Sequence, residues 1–181
     1  MPLLPIQEKL FFAVNDTEQP VYQVDAFADP VPVKLSGRCN YLNCNPFREF
    51  LERMLEEGKT DFVFDFENCI GMDSTFLGIL ASVAMRLRRL DPPGTLVLTH
   101  LNQRNLELVR NLGLHRLLIV DAAGGSSAPQ TLESIASGKV KSAEVILRAH
   151  ESLVEAEQGN ASKFQDCIEF LRNQLEVEKE Q

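Results

Sequence analysis

The stretch Phe62–Leu80, FVFDFENCIGMDSTFLGIL, changes its period half-way along. Phe62, Phe64 and Phe66 alternate with Val63 and Asp65, the period of two expected of a strand with one buried face. From Phe76 to Leu90 the apolar residues instead fill most of the circumference of a helix, which Asp91-Pro92-Pro93-Gly94 stops. Between the two stand Asp73, Ser74 and Thr75, residue types that cap a helix by satisfying the orphan amides of its first turn. A strand running directly into a capped helix is half of a strand–helix–strand unit, so the remaining chain should supply the neighbouring strands.

It does so on both sides. Upstream, LFFAV (10–14), PVYQVDAFA (20–28) and VPVKLSG (31–37) read as strands, the last with Val31, Val33 and Leu35 in alternation. CNPFREFLERMLEEGKT then carries apolar residues at 47, 50, 51, 54 and 55, a helical stripe with Asn45 as expected cap, Pro46 in the first turn and Gly58 as the stop. Downstream, TLVLTHL (95–101) has the apolar run of a buried strand. A helix follows with Asn102 as cap, Leu106, Val109 and Leu112 on one face, and Gly113 at its end. LHRLLIV (114–120) reads as the last strand. Strands alternating with short helices specify an α/β fold: a mixed, mostly parallel sheet with helices packed against it and an antiparallel start.

Residues 1–9 are expected to be a flexible arm, 10–121 the α/β domain, and 122–130 (within DAAGGSSAPQ) a linker. Residues 131–181 are expected to be a helical extension in the form of a hairpin. Ile146, Ala149, His150, Leu153 and Val154 share one face, Gly159-Asn160 breaks the run, and Phe164, Ile168, Leu171 and Leu175 form a second stripe. Those stripes need cover from each other, from the first domain, or from a second copy in a homodimer.

Composition removes several classes of function. A net charge of −8 disfavours a nucleic-acid surface, which needs clustered Lys and Arg. No apolar run is long enough for a membrane span, and MPLLPIQEKLFF lacks the form of a secretory signal, so a cytoplasmic location is expected. Cys39, Cys44, Cys69 and Cys167 make no Cys-x-x-Cys, and His100, His115 and His150 do not stand at ligand spacing beside them, so no metal or cofactor is expected. Cys69 and Cys167 read as small buried hydrophobes.

Enzyme signatures are missing too. There is no glycine-rich phosphate loop, and Met72 and Phe76 replace the glycines that would flank Ser74 in a nucleophile elbow. His100 and His115 are the candidate bases, but each sits at a strand end where structural histidines are common. Asp65 and Asp73 are the candidate carboxylate pair, with nothing else marking them as one. The expectation is a protein that is not an enzyme.

Three blocks, LSGRCNYLNCNPFREFL, FVFDFENCIGMDSTFLGIL and GTLVLTHLNQRNLELVRNLGLHRLLIV, together resemble the STAS family, the sulfate-transporter and anti-sigma-factor-antagonist domains. The resemblance covers roughly residues 10–121. It implies an anti-sigma factor antagonist at the hub of a bacterial partner-switching pathway that regulates transcription. Its partners would be an anti-sigma factor acting as serine/threonine kinase and a cognate phosphatase. The family's phosphorylated serine corresponds to Ser74, with Thr75 as the second choice, and the implied partner-binding residues are Asn40, Asp73, Ser74, Thr75 and Phe76. Two residues depart from the family pattern: Phe76 replaces a glycine, and Asn40 replaces a frequent acid. Phe76 is expected to be an exposed aromatic anchor for a partner, or else to pack beneath the N-terminal arm. The rival reading is a STAS module that is never phosphorylated and serves as a binding or scaffold subunit of a transport or stress-sensing complex.

Overall fold

The computed structural model describes residues 21–123 and 131–180. The arm at 1–9, the strand expected at 10–14 and most of the linker lie outside the described residues.

The sheet consists of β1 (Tyr22–Val24), β2 (Val31–Cys39), β3 (Asp61–Met72), β4 (Thr95–Thr99), β5 (Ile119–Asp121) and β6 (Glu133–Ile135). Their spatial order is β5-β4-β3-β2-β1-β6. β2 to β5 run parallel, while β1 pairs antiparallel with both β2 and β6. The helices are α1 (Asn45–Glu56), α2 (Ser74–Arg88), α3 (Gln103–Asn111), α4 (Ala143–Ala156) and α5 (Ala161–Lys179). The mixed, mostly parallel architecture with a C-terminal helical hairpin is therefore present.

The alternation in β3 works as the sequence implies. Phe62, Phe64 and Phe66 are fully buried, while Val63 and Asp65 on the opposite face are half-covered by the described residues. α1 places Phe47, Phe50, Leu51 and Met54 on the phenylalanine face, and the Phe47 ring lies 5.7 Å from that of Phe64. α2 is apolar around its circumference because it is a middle layer: the sheet lies on one side, where Phe76 also meets Phe47 of α1, and α4 lies on the other.

Four local expectations need correction. Asn45 is the first residue of α1, not its cap; its side chain instead bonds Arg48 and Glu49 one turn on. α2 starts at Ser74, two residues earlier than its apolar run, because Asp73 is the cap. Of the strand expected over 114–120, Leu114–Arg116 forms a 3-10 turn after Gly113, whose φ of +72° sets the bend, and only Ile119–Asp121 pairs. The extension is not wholly helical, since Glu133–Ile135 adds to the free edge of β1 before the hairpin begins. Three residues are too few to display a period in the sequence.

Candidate protein-binding site at the start of α2

The carboxyl ends of β2 and β3 stand side by side, with Cys39 paired to Met72, and Asp73 alone separates β3 from α2. Asp73 is the organising side chain. Its Oδ1 accepts from the Phe76 amide at 2.8 Å, capping α2, and its Oδ2 accepts from the Tyr41 amide at 2.9 Å in the β2–α1 loop. Its own amide donates to the Cys39 carbonyl. One carboxylate thus ties a helix cap to a neighbouring loop, which is why Asn40 and Asp73, 33 positions apart in sequence, stand close together.

The loop is internally pinned. Asn40 Oδ1 accepts from the Leu42 amide, while the Asn43 side chain accepts from the Asn40 amide and the Tyr22 hydroxyl and donates to the Arg38 carbonyl. It presents apolar surface to solvent: Tyr41 is 39% and Leu42 52% exposed, and Ile70 near the end of β3 is 58% exposed. Exposed apolar groups on a hydrogen-bonded loop are the usual ingredients of a protein contact.

Ser74 is the first residue of α2 and is half-buried. Its hydroxyl lies 2.9 Å from Nε2 of His150 on α4, and Nδ1 of the same ring lies 2.8 Å from the Ile146 carbonyl. A carbonyl can only accept, so Nδ1 carries a proton and donates to Ile146, while Nε2 and the Ser74 hydroxyl share the second hydrogen bond of the ring. His150 is buried and meets the Phe164 ring edge-on at 5.3 Å between centroids. The histidine that meets the Ser74 hydroxyl is therefore neither His100 nor His115. His100 bonds Asp65 at 2.8 Å, and His115 is exposed on the 3-10 turn. Asp65 and Asp73 do not form a pair, since each carboxylate serves a different partner.

Two of the expected partner-binding residues lie elsewhere than on the surface. Phe76 is fully buried, with its ring 6.1 Å from Phe47 and 6.2 Å from Tyr22, so it is a core residue and not an exposed anchor. The helix direction decides this: with Ser74 facing α4, a residue two positions on points toward the sheet. Thr75 is buried as well, which leaves Ser74 as the better placed hydroxyl. Asn40, Asp73 and Ser74 are brought together.

The hidden partner of Ser74 left a trace in the sequence. His150 occupies the buried stripe of a helix, between Ala149 and Leu153, where an ionisable ring requires a hydrogen-bond partner.

Behind the site, Cys39 and Cys69 are buried with their sulfurs 3.8 Å apart. Burial, followed by the charge of Asp73, pushes the Cys44 thiol up to about 12. Cys167, expected to be buried, is exposed on α5. Among the described residues, no cluster of His, Cys, Asp and Glu could hold a metal ion, and no helix is long and apolar enough to cross a membrane.

A family model described as "Mlab, STAS domain" matches residues 23–120, more than half of the chain. The chain belongs to the STAS domain family. Solved structures similar to it include the unphosphorylated anti-sigma factor antagonist SpoIIAA, at 20% identity over 56% of this chain and 88% of that one, with a TM-score of 0.45. Another is the phosphorylated Bacillus cell fate determinant SpoIIAA, at 17% identity over 56% and 92% of the two chains, with a TM-score of 0.47. No curated protein matches the chain in sequence. The STAS match ends one residue before the end of β5, so β6, α4 and α5 lie beyond the matched residues.

Proposed function

We propose that this STAS domain is an anti-sigma factor antagonist. In this reading it is a cytoplasmic, non-enzymatic protein-binding module whose docking edge is formed by Asn40, Tyr41, Leu42, Asp73 and Ser74. A serine/threonine kinase, the anti-sigma factor itself or one associated with it, phosphorylates Ser74, and a phosphatase reverses the step. The observation that carries the reading is the position of Ser74. It opens a helix whose first-turn amides and dipole tolerate a phosphate, beside a loop with exposed apolar side chains. A phosphoserine adds about −1.5 to −2 charges. Next to Asp73, that charge would repel and desolvate poorly against a partner, and each ~1.4 kcal/mol lost is about tenfold in affinity.

The test is a pull-down from the native cell with Ser74→Ala and Ser74→Asp as baits, alongside intact mass of the native protein. A partner captured by the alanine bait and lost with the aspartate bait, together with a phosphate-sized mass shift, supports the switch. Equal capture by both baits overturns it.

A specific observation favours a second reading. The Ser74 hydroxyl is already engaged by His150 under α4, and the matching family model is described by Mlab. A STAS module that is never phosphorylated and acts as a binding or scaffold subunit of a transport or stress-sensing complex would show the same fold. It would show no phosphate on Ser74 in cells.

A further inference from the structure

The α4–α5 hairpin lies beyond the residues that the family model matches, yet α4 lies against α2 at Ser74, the hydroxyl read above as the phospho-acceptor. The contact is close because Gly78 has no side chain: a Cβ there would fall 2.1 Å from the Ala149 carbonyl oxygen and 2.8 Å from its Cα. Ala149 and His150 are neighbours on α4, so the same crossing that brings the two backbones together delivers His150 Nε2 to Ser74, one helical turn before Gly78.

With the Ser74 Oγ held on His150, that geometry leaves no space for a phosphate. Between an Oγ and an Nε2 that are 2.9 Å apart, a phosphoryl group would interpose phosphorus and a shell of oxygens. Nε2 would have to retreat by about 2 Å to reach even a charge-assisted contact of roughly 2.7–2.9 Å. The ring cannot swing away on its own without giving up the Ile146 carbonyl, and it is buried against Phe164. While Ser74 keeps this rotamer, helix α4 itself has to move. The crossing is poorly filled on one flank, where a cavity of about 290 Å³ lined by Arg48, Ile79, Arg86, Val145 and Arg148 opens beside Gly78.

We infer that His150 and helix α4 guard Ser74: the docked hairpin and a phosphorylated Ser74 exclude one another, so a kinase reaches the hydroxyl only when α4 lifts. Coupling of this kind is reciprocal. Whatever factor docking imposes against phosphorylation, the phosphate imposes against docking. An event that loosens the hairpin would license modification, and the modification would then hold the hairpin open. This rests on the reading of Ser74 as phospho-acceptor, but its test does not depend on any cell performing the reaction.

The experiment installs phosphoserine at position 74 of the full chain during translation and follows amide hydrogen exchange. The expected result is exchange at least tenfold faster across 146–156 than in the unmodified protein, with β3 and β4 protected as before. Unchanged protection of α4 would overturn the inference, and so would a parallel loss in β3 and β4, because the phosphate would then be unfolding the domain and not releasing a guard. Whether Ser74 carries phosphate in the native cell is read separately by intact mass. The guard can therefore stand where the switch fails, and the reverse.

Discussion

Ser74 and His150, 76 positions apart, share a 2.9 Å hydrogen bond that joins the residues matched by the STAS model to helix α4 beyond them. Replacing His150 by alanine removes that partner, the bond to Ile146 and the ring packed on Phe164. The expected loss is about 2–3 kcal/mol, from lost packing and from hydrogen bonds of ~1 kcal/mol each. Ser74→Ala removes only one hydrogen bond and should cost about 0.5–1.5 kcal/mol. In the double variant the Ser74 contribution should largely disappear, since its partner is already gone. Urea unfolding of the four proteins checks this, and a fully additive double variant would mean that the bond contributes nothing.

Gly78→Ala tests the crossing without touching the polar pair. The atoms in the way belong to the backbone of α4, so no side-chain rotation can relieve the clash. Either α4 moves out or α2 moves inward against Phe47 and the sheet. Forcing a methyl into a filled interface costs about 1–3 kcal/mol. The expected outcome is lower stability with faster exchange across 143–156, and exchange in β4 little changed. Stability equal to that of the unaltered chain would show that the helices are free to shift.

How much of this was legible in the residues depended on range. The β3–α2 junction could be read because two periods meet within 19 positions and Asp73 caps its own helix. Phe76 could not: local pattern says it is apolar, but only the azimuth set by the true helix start, two residues earlier, points it at Phe47 and Tyr22. His150 carried a signal in its place on a buried stripe, yet nothing in the sequence states which of three histidines faces Ser74. That follows from Gly78 admitting α4, a contact between elements separated by β4, α3, β5 and β6. β6 was unreadable because its pairing comes from the vacant edge of β1, not from its own three residues.

The thiols give a prediction with a simple readout. Cys39, Cys44 and Cys69 are buried, and Cys44 is pushed up to about 12, chiefly by burial. The thiolate is the nucleophile, so at pH 8 Cys44 is almost wholly in its unreactive form. Cys167 is exposed. Iodoacetamide under native conditions should therefore add one group, on Cys167, and four in denaturant. Rapid modification of Cys44 in the native protein would show that the loop carrying Asn40 opens readily.

Asp61 gives the pH dependence. The Thr95 hydroxyl donates to its Oδ1 at 2.6 Å and the Thr60 hydroxyl to its Oδ2 at 2.8 Å, and these bonds to the charged form hold its carboxyl below the usual carboxylate range. A depressed folded-state value stabilises the fold above the unfolded pKa of about 3.9 and loses that contribution as pH falls through the folded value. Asp61→Asn should therefore be less stable than the parent near pH 7, with the gap narrowing below about pH 4. Urea midpoints at the two pH values decide it, and a gap that widens in acid would refute the assignment.

Asn160 tests what retains the guard from its far end. It is fully buried between α4 and α5, and its Nδ2 donates to the Leu112 carbonyl at 2.9 Å and the Leu153 carbonyl at 2.8 Å. One amide therefore holds the end of α4 to the end of α3, while Lys163 reaches the Asn111 carbonyl beside it. Asn160→Ala leaves two carbonyls short of a donor at a buried position, at a cost of about 1–3 kcal/mol. Asn160→Asp keeps the shape but replaces the donor with an acceptor facing two carbonyls, and should be worse. If the hairpin pivots at this end, both variants raise exchange across α4, and they should also raise the rate at which a promiscuous serine/threonine kinase modifies Ser74. Faster α4 exchange with an unchanged rate of Ser74 phosphorylation would mean that α4 is mobile but does not control access to the hydroxyl.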